Sequence, residues 1–262
     1  MIETAGLFSS FQEEELFRWV LQRDGESYRA LDQRQTFRTE LEGQGFFVKI
    51  HEGYSLKEFL KNLLAFKMPA IGAKRERDAI LHLTKRGVKT MTLAAYGERG
   101  ILPFWQTSFL VTEELTNCHS LAEIADHWST SSPTLLEKRN LIEKLAKSVK
   151  GMHGAGVNHQ DCYICHFLLQ EKTGDLFVID LHRAEIHDKL PWRWKCKDLS
   201  ALAFSVSALR LNKLDYFRFL RIYYGSLFEN RDEVRRVCEV VSLKVQKIKK
   251  HTSKLEKKRG FL

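Results

Sequence analysis

Two aspartates set the strongest constraint on how this chain folds. Asp161 follows Gly154-Ala155-Gly156-Val157, where a long helical pattern ends, and therefore falls on a loop. Asp180 follows the apolar run Leu176-Phe177-Val178-Ile179, which has the composition of a buried strand. The 19 positions from Asp161 to Asp180 (180 − 161) suit a strand, a tight turn at Gly174-Asp175 and a second strand. The fold must then place one acid on a loop and the other at the end of a buried strand.

This placement suits phosphoryl transfer. A loop carboxylate can accept the proton of an attacking hydroxyl group, whereas an acid at the end of a buried strand is costly unless a metal ion or a donor compensates its charge. Protein kinases place these two roles in the same chain order. The sequence thus predicts Asp161 as a catalytic base and Asp180 as a metal ligand. His159-x-Asp161 alone is a common triplet, and a loop aspartate often only caps a turn.

The loop around Asp161 also allows a rival interpretation, because His159, Cys162, Cys165 and His166 are residue types that bind zinc or form a redox couple. A structural zinc site usually takes its second ligand pair from a separate segment. The remaining candidate is Cys118-His119, one Cys and one His adjacent in sequence. The spacing therefore disfavours zinc and redox chemistry, and the two loop cysteines are expected to be small buried hydrophobes.

Composition limits the class of protein and its partners. The 262 residues are 44% hydrophobic, which predicts a globular fold of one large domain or two lobes. A formal charge of +9 favours acidic partners: nucleic acid, anionic lipid, phosphorylated substrates or an acidic protein. Five cysteines fit reduced thiols, and neither a secretory signal nor an apolar stretch long enough to span a bilayer is visible. A cytoplasmic protein, soluble or peripherally attached to a membrane, is expected.

The hydrophobic pattern changes character near residue 115, from short β-like runs to long helical periodicities. We predict an α+β fold with a β-rich first domain, 1–115, and a mainly helical second domain, 116–262. Strands are predicted at 26–31, 36–41, 46–50, 89–97 and 107–113, with Gly43-Gln44-Gly45 as a hairpin turn, and helices at 73–86, 135–153, 198–223 and 231–250. The helix from Leu135 to His153 is capped by Thr134 or Ser132 and buries Leu135, Leu141, Ile142, Leu145, Val149 and Met152.

Lys49 is a charged residue within the apolar strand Phe47-Val48-Lys49-Ile50. Strand alternation permits an ordinary solvent-facing lysine, but the helix that follows carries Glu76, which can pair with it. Such a lysine reaches the α- and β-phosphates of ATP in protein kinases. The backbone groups of Glu113 and Leu115, where the last strand ends, are predicted to form a hinge that hydrogen-bonds adenine.

Taken together, the chain resembles the lipopolysaccharide core heptose kinases, bacterial sugar kinases that share the protein-kinase fold, and is most similar to those acting on the first heptose. The resemblance covers nearly the whole length and rests on several motifs in the same order. They are Phe47-Val48-Lys49, Gly72-Ala73-x-x-Glu76, Gly87-Val88, Thr112-Glu113-Glu114-Leu115, His159-Gln160-Asp161-Cys162-Tyr163 and Val178-Ile179-Asp180-Leu181-His182-Arg183.

The resemblance implies a two-lobed kinase that transfers the γ-phosphate of ATP, with Mg²⁺, to O-4 of heptose I at the cytoplasmic face of the inner membrane. It implies Asp161 as the base, Asp180 as the metal ligand, Lys49 as the phosphate anchor and Glu76 as its partner. The partners expected are the lipid A–core oligosaccharide acceptor, the anionic inner-membrane surface and an acidic protein, and no nucleic acid. The run Lys244–Arg259, with eight Lys or Arg against one Glu, suits an anionic surface.

The sequence departs from the protein-kinase pattern around the phosphates and the acceptor. No glycine-rich loop precedes Lys49, so Gln33 and Arg34 are predicted to cover the phosphates instead. His166 stands where an asparagine is expected, which makes a second Mg²⁺ doubtful because Mg²⁺ prefers oxygen ligands. Tyr163 replaces a lysine that many protein kinases have, which argues against a protein substrate. Candidates for the acceptor site or its loops are His159, Arg183, Trp192 and Arg193.

Two alternatives stay open at the level of sequence. One is a kinase for another core sugar, heptose II or Kdo. The other is a non-catalytic, kinase-like binding module that uses its basic face on nucleic acid or membrane, which the missing glycines and His166 favour.

Overall fold

The computed structural model describes residues 1–22, 26–31, 34–53, 72–100, 106–128, 130–209, 211–226 and 229–259. The chain divides into two compact units. The first comprises Met1–Lys85, Thr90–Thr116 and Asp180–Arg183, and the second comprises Arg86–Lys89, Asn117–Ile179 and Ala184–Leu262. Thr116 and Asp180–Arg183, from the range predicted for the second domain, therefore cluster with the first unit, and Arg86–Lys89, from the range predicted for the first domain, cluster with the second.

The first unit is built on a six-stranded antiparallel sheet in the order β1-β5-β6-β4-β3-β2. Its strands are β1 Ile2–Thr4, β2 Glu26–Leu31, β3 Arg34–Leu41, β4 Gln44–His51, β5 Leu93–Arg99 and β6 Thr107–Glu113. Within the described residues of this unit, a 3₁₀ helix at Gly6–Phe8 and the α-helices α1 Glu13–Gln22 and α2 Lys74–Lys85 accompany the sheet. Side chains alternate along β4, so that Phe46, Val48 and Ile50 enter a core with Leu16 and Phe17 of α1. Lys49 consequently points to the other face of the sheet.

The hairpin between β3 and β4 differs from the prediction at its turn. Glu42 and Gly43 form it with φ of 51° and 79°, whereas Gln44 and Gly45 already belong to β4. The structure gives Gly45 a different role: a Cβ there would come within 1.9 Å of Glu114 Oε2. That carboxylate receives two hydrogen bonds from Arg38, at 2.7 and 2.8 Å. Gly45 thus makes room for an ion pair between β3 and the end of β6.

The second unit is mainly helical. Its helices are α3 Leu121–His127, α4 Leu135–Gly154, α5 Trp192–Ser205, α6 Lys213–Tyr224 and α7 Arg231–Arg259. Short strands form two small sheets from β7 Cys118–Ser120, β8 Val157–Asn158, β9 Phe167–Gln170, β10 Leu176–Val178 and β11 Glu185–Ile186, in the orders β10-β9-β7 and β11-β8. The predicted α+β class is confirmed, and a strand, a turn at Gly174 and a second strand do separate Asp161 from Asp180.

Helix boundaries show two corrections. The single helix predicted at 198–223 is two helices, because Asn212 caps α6 through a capping box with Asp215. Leu135, predicted on the buried side of α4, is 66% exposed since it is the first residue of that helix. Of the two cap candidates, Thr134 is the one whose side chain accepts the Glu137 N–H.

Candidate active site

A buried ion pair joins β4 to α2 in the first unit. Lys49 Nζ donates to Glu76 Oε1 at 2.6 Å, and the two side chains are 11% and 1% exposed. Strand alternation places Lys49 on the face of the sheet opposite the aromatic core, and Glu76 lies in the first turn of α2. The predicted pairing of Lys49 with Glu76 is therefore present.

Asp180 accepts hydrogen bonds from three cationic or polar side chains through one oxygen. Its Oδ1 is 3.3 Å from Lys49 Nζ, 3.4 Å from an Arg34 guanidinium nitrogen and 2.8 Å from His182 Nδ1. Burial raises the pKa of the Asp180 carboxyl, but the hydrogen bond from His182 and the charges of Lys49 and Arg34 outweigh it, so the pKa lies well below its usual range. Asp180 is therefore an anion across the physiological pH range.

Asp180 has a φ of 59°, a left-handed backbone conformation that costs a non-glycine residue of order 1–3 kcal/mol. The strain is tolerated because the donors described above hold its carboxylate. The first unit thus brings together four residues from four separate segments: Arg34, Lys49, Glu76 and Asp180. His182, next but one to Asp180, was not among the predicted site residues. Gln33, predicted beside Arg34, lies outside the described residues.

Asp161 lies in the second unit, on the loop between β8 and the 3₁₀ helix Ile164–His166. Its carbonyl oxygen accepts from the Tyr163 N–H at 2.9 Å and from His166 Nδ1 at 2.7 Å. His166 also stacks on His159, with ring centroids 5.4 Å apart, and His159 Nε2 is 2.9 Å from the Ile179 carbonyl oxygen. The two histidines predicted near Asp161 thus hold its loop.

A buried aspartate of α5, not among the predicted residues, fixes the conformation of this loop. Asp198 of α5 is fully buried and accepts the backbone N–H groups of His159 and Gln160 at 2.7 and 2.8 Å. His153 Nε2 lies 3.3 Å from the same carboxylate. Lys197, the residue directly before Asp198, donates to Gln160 Oε1 at 2.9 Å. One sequence signal was available: an aspartate directly before the apolar run Leu199-Ser200-Ala201-Leu202 has to be compensated when buried.

Comparison with known proteins now places the chain. The model of the lipopolysaccharide kinase (Kdo/WaaP) family matches residues 18–223, well over half of the sequence. The chain belongs to the lipopolysaccharide kinase (Kdo/WaaP) family. Lipopolysaccharide core heptose(I) kinase WaaP of Escherichia coli strain K12 is 42% identical over 245 residues, which cover 91% of this chain and 92% of that protein. The enzyme of the same name from Pseudomonas aeruginosa is 49% identical over 214 residues, covering 79% of this chain and 80% of that protein.

A solved structure supports the same membership in the Kdo/WaaP family. The structure of WaaP in complex with acyl carrier protein aligns with a TM-score of 0.81 and 39% identity, over 94% of this chain and 98% of that one. The resemblance to the heptose kinases and the kinase-like α+β fold are thereby confirmed.

The remaining predicted residues are Glu113, Leu115 and Arg183 in the first unit and Trp192 and Arg193 in the second. Glu113 ends β6, and its N–H group already donates to the Thr92 carbonyl oxygen at 3.0 Å, while Leu115 is half-buried just beyond the strand. Trp192 begins α5 and is 39% exposed, with the Arg236 guanidinium 5.6 Å from its ring. Arg193 lies over the neighbouring Trp194, and Arg183 is exposed. Their functional roles stay predictions.

Among the described residues, no group of three or more His, Cys, Asp or Glu is placed to hold a metal ion. Cys162 is fully buried, and burial raises its pKa well above the usual value, as expected of a small hydrophobe. Cys165 on the same loop is exposed, which differs from the prediction. A single carboxylate such as Asp180 nevertheless suits Mg²⁺, which is bound by one or two carboxylates plus water and substrate phosphates.

Proposed function

We propose that this protein is an ATP-dependent kinase that phosphorylates O-4 of heptose I in the inner core of lipopolysaccharide. The observation that carries the proposal is the cluster of Lys49, Glu76 and Asp180, joined by contacts of 2.6 and 3.3 Å. With Arg34, whose guanidinium lies 3.4 Å from Asp180, the cluster offers two cationic groups for phosphate, and Asp180 offers a carboxylate for a metal. The names of the relatives that are 42 to 49% identical supply the acceptor.

The nucleotide is assigned to the first unit. Lys49 binds the α- and β-phosphates, and Glu76 holds its ammonium group in place. Arg34 takes over the phosphate contacts that glycine-rich loops provide in protein kinases, since its guanidinium lies within 3.4 Å of the Asp180 carboxylate. Adenine pairs with backbone groups at Glu113 and Leu115. Because the Glu113 N–H group is already bonded to Thr92, the contact at Glu113 uses its carbonyl group.

One Mg²⁺ ion fits the residues better than two. Asp180 would hold it together with the β- and γ-phosphates. When bound, the ion neutralises charge that develops on the transferring phosphoryl group. His166 offers a nitrogen, which Mg²⁺ accepts poorly, and its Nδ1 already bonds the Asp161 carbonyl oxygen. We therefore assign His166 a role in the loop and not in a second metal site.

Asp161 is assigned the role of base for the acceptor hydroxyl. Its carboxylate accepts the proton of that hydroxyl as the oxygen bonds to the γ-phosphorus and the bond to the β-phosphate oxygen breaks. Little covalent help is needed in such a transfer, so correct orientation of the hydroxyl contributes most of the effect. Arg183, Trp192 and Arg193 remain candidates for contacts with the sugars or phosphates of the acceptor.

The decisive experiment is phosphate transfer from ATP to purified core oligosaccharide by Asp161→Asn. We expect kcat to fall by about 10²- to 10⁴-fold, as for loss of a catalytic base. Asp175→Asn is the matched control, because Asp175 is another loop aspartate of the second unit and its carboxylate forms an ion pair with the exposed Lys89. Activity near wild type in Asp161→Asn would remove Asp161 from the base role. Mass spectrometry of the product distinguishes O-4 of heptose I from heptose II and Kdo.

We also propose an acyl carrier protein as a partner. A relative forms a complex with one, and the second unit has an apolar cavity of about 580 Å³, within the range of ligand pockets. Its lining comes from α4 to α7 and includes Leu145, Leu199, Leu202, Phe219, Val241 and Val245. An acyl chain is the chemistry that such a lining accepts.

Titration with acylated and unacylated carrier tests this partner. Val241→Trp fills the cavity and should weaken binding of the acylated carrier by about tenfold, since a buried apolar chain of several methylenes loses its site. Leu243→Trp is the control, because Leu243 lies on the same helix and is 59% exposed. Equal affinity of both variants for the acylated carrier would exclude the cavity as the acyl site.

A peripheral position on the cytoplasmic face of the inner membrane completes the proposal. Among the described residues, no helix combines the length and apolar composition needed to cross a bilayer. Leu135 and Leu136 of α4 and Leu214 and Phe217 of α6 are more than half exposed at the start of two helices joined by the Lys138–Asp215 ion pair. Sedimentation with anionic vesicles should fall in Leu214→Ser and not in Leu21→Ser, a similarly exposed leucine of α1.

A further inference from the structure

A buried arginine connects α2 to the sheet of the first unit. Arg77 is 9% exposed, and its guanidinium carbon lies 4.5 Å from the centroid of the Tyr96 ring. The same guanidinium donates to the Glu3 carboxylate and lies 2.7 Å from Asp78 Oδ1. Glu3 on β1 and Tyr96 on β5 are directly paired across the two strands. The two strands thus form a single binding surface for the Arg77 side chain. We call the contacts of Arg77 with Glu3 and Tyr96 the Arg77 anchor.

Tyr96 is itself held in place by hydrogen bonds through Glu98. The Tyr96 hydroxyl donates to one oxygen of Glu98, and Gln106 Nε2 donates to the other at 2.5 Å. Burial lowers the pKa of Arg77, but the charges of Asp78 and Glu3 outweigh it and raise the pKa overall. The guanidinium therefore stays charged, and a cation over an aromatic face in a desolvated place is strongly held.

The Arg77 anchor lies directly next to Glu76 in the sequence of α2. Successive residues of an α-helix point roughly 100° apart around its axis, so fixing Arg77 fixes the direction of Glu76. A second contact holds the start of the helix, where the Ala73 N–H group donates to Ser108 Oγ at 2.9 Å. Gly72 allows this approach, because a Cβ there would lie 2.7 Å from Ser108 Oγ. One contact sets the position of α2 and the other its rotation.

We propose that Glu3, Arg77 and Tyr96 are positioning residues that orient Glu76 toward Lys49, so that the β1 strand controls the phosphate-binding lysine. The inference rests on the proposed nucleotide site and extends it to residues that touch neither nucleotide nor acceptor. Rotation of α2 by a fraction of a turn removes the Glu76 carboxylate from Lys49, because the 2.6 Å contact between two side chains tolerates little displacement.

Glu3→Gln tests the anchor with little change in shape. Its matched control is Glu14→Gln, because Glu14 also pairs with an arginine of the first unit, Arg99 at 2.9 Å, but is 79% exposed on α1. Two readouts are needed: KM for ATP at a temperature well below unfolding, and the rate at which acetic anhydride modifies Lys49, followed by mass spectrometry. We expect Glu3→Gln to raise both by about five- to tenfold, the lower part of the range of couplings between sites, and Glu14→Gln to change neither.

The outcomes separate this inference from the proposed function. Wild-type KM and Lys49 modification in Glu3→Gln, with Lys49→Ala inactive, overturn the anchor and leave the kinase assignment intact. Full activity in Lys49→Ala overturns both. If Glu3→Gln does not fold, Arg77→Lys replaces it, since lysine keeps the charge but cannot contact Glu3 and Tyr96 with a planar fork. A lowered unfolding temperature without a change in KM or modification identifies a purely structural contact and also overturns the proposal.

Discussion

Asp198 Oδ1 accepts the backbone N–H of Gln160 at 2.8 Å, and Gln160 has a φ of 68°. A non-glycine residue in this left-handed region persists only where its surroundings determine the conformation. Here the determining group is a fully buried carboxylate that also accepts the His159 N–H group. The conformation of the residue directly before Asp161 is thus set by a helix almost forty positions later in the sequence.

Asp198→Asn should disrupt the loop that carries Asp161. The amide has one acceptor oxygen and an NH₂ group that faces backbone donors, so at least one buried N–H group loses its partner. We expect about 2–4 kcal/mol of destabilisation, together with a fall in kcat of more than tenfold. Urea unfolding and initial-rate kinetics measure the two effects. Wild-type kcat in a folded variant would show that Asp161 does not depend on this contact.

How much of the candidate site could be predicted from the sequence depends on how far apart in the sequence the contacting residues are. Lys49, Glu76 and Asp180 stand in local patterns, namely an alternating strand, a helix start and an apolar run, and each pattern is visible without tertiary structure. Asp198 contacts His159 across 39 positions, and no local pattern connects them. His182 was missed for another reason: its role depends on the turn that points its Nδ1 toward Asp180.

The boundaries of helices and strands likewise were predicted where a local pattern defines them and missed where it does not. The five strands whose bounds were predicted and α4 follow strong periodicities and were placed to within a few residues, except that β5 extends two residues past its predicted end and starts four residues later. The break between α5 and α6 was missed because apolar side chains continue across it, although Asn212 and Asp215 form a capping box there. The exposure of Leu135 could not be read from periodicity, since the pattern gives the direction of a side chain around the helix axis and not whether another element covers the first residue of the helix.

The Lys49–Glu76 pair should respond asymmetrically to removal of either partner. Lys49→Met leaves Glu76, which is 1% exposed, without its cation, and this should cost about 3 kcal/mol of stability. Glu76→Gln should cost less, because Lys49 still has Asp180 at 3.3 Å. The double variant should be more stable than the sum of both changes predicts, as for any coupled pair. Urea unfolding of the four proteins gives the coupling, and simple additivity would contradict it.

Thr134 and Ser132 give a matched pair for the start of α4. The Thr134 hydroxyl accepts the Glu137 N–H group at 3.2 Å, and the Glu137 carboxylate in turn accepts the Thr134 N–H group at 2.8 Å. Thr134→Ala should lower stability by about 1 kcal/mol, the usual effect of losing an N-cap, whereas Ser132→Ala should leave it unchanged. Thermal unfolding of both variants is the measurement. An equal loss in both would mean that the cap is shared or shifted.

His51 should make the protein sensitive to mild acid. Burial, together with the charges of Arg34, Lys49 and His182, lowers its pKa from the ordinary value of 6.5 to about 3. Between these two values the unfolded chain binds a proton that the folded chain does not, so stability falls as pH falls below about 6.5. From pH 7.5 to pH 5.0 the loss due to His51 is about 2 kcal/mol, at about 1.4 kcal/mol per unit below that pKa. His51→Gln should remove this part of the pH dependence in urea unfolding, because glutamine does not titrate. Identical slopes in the variant and the wild type would show that folding does not lower the pKa of His51.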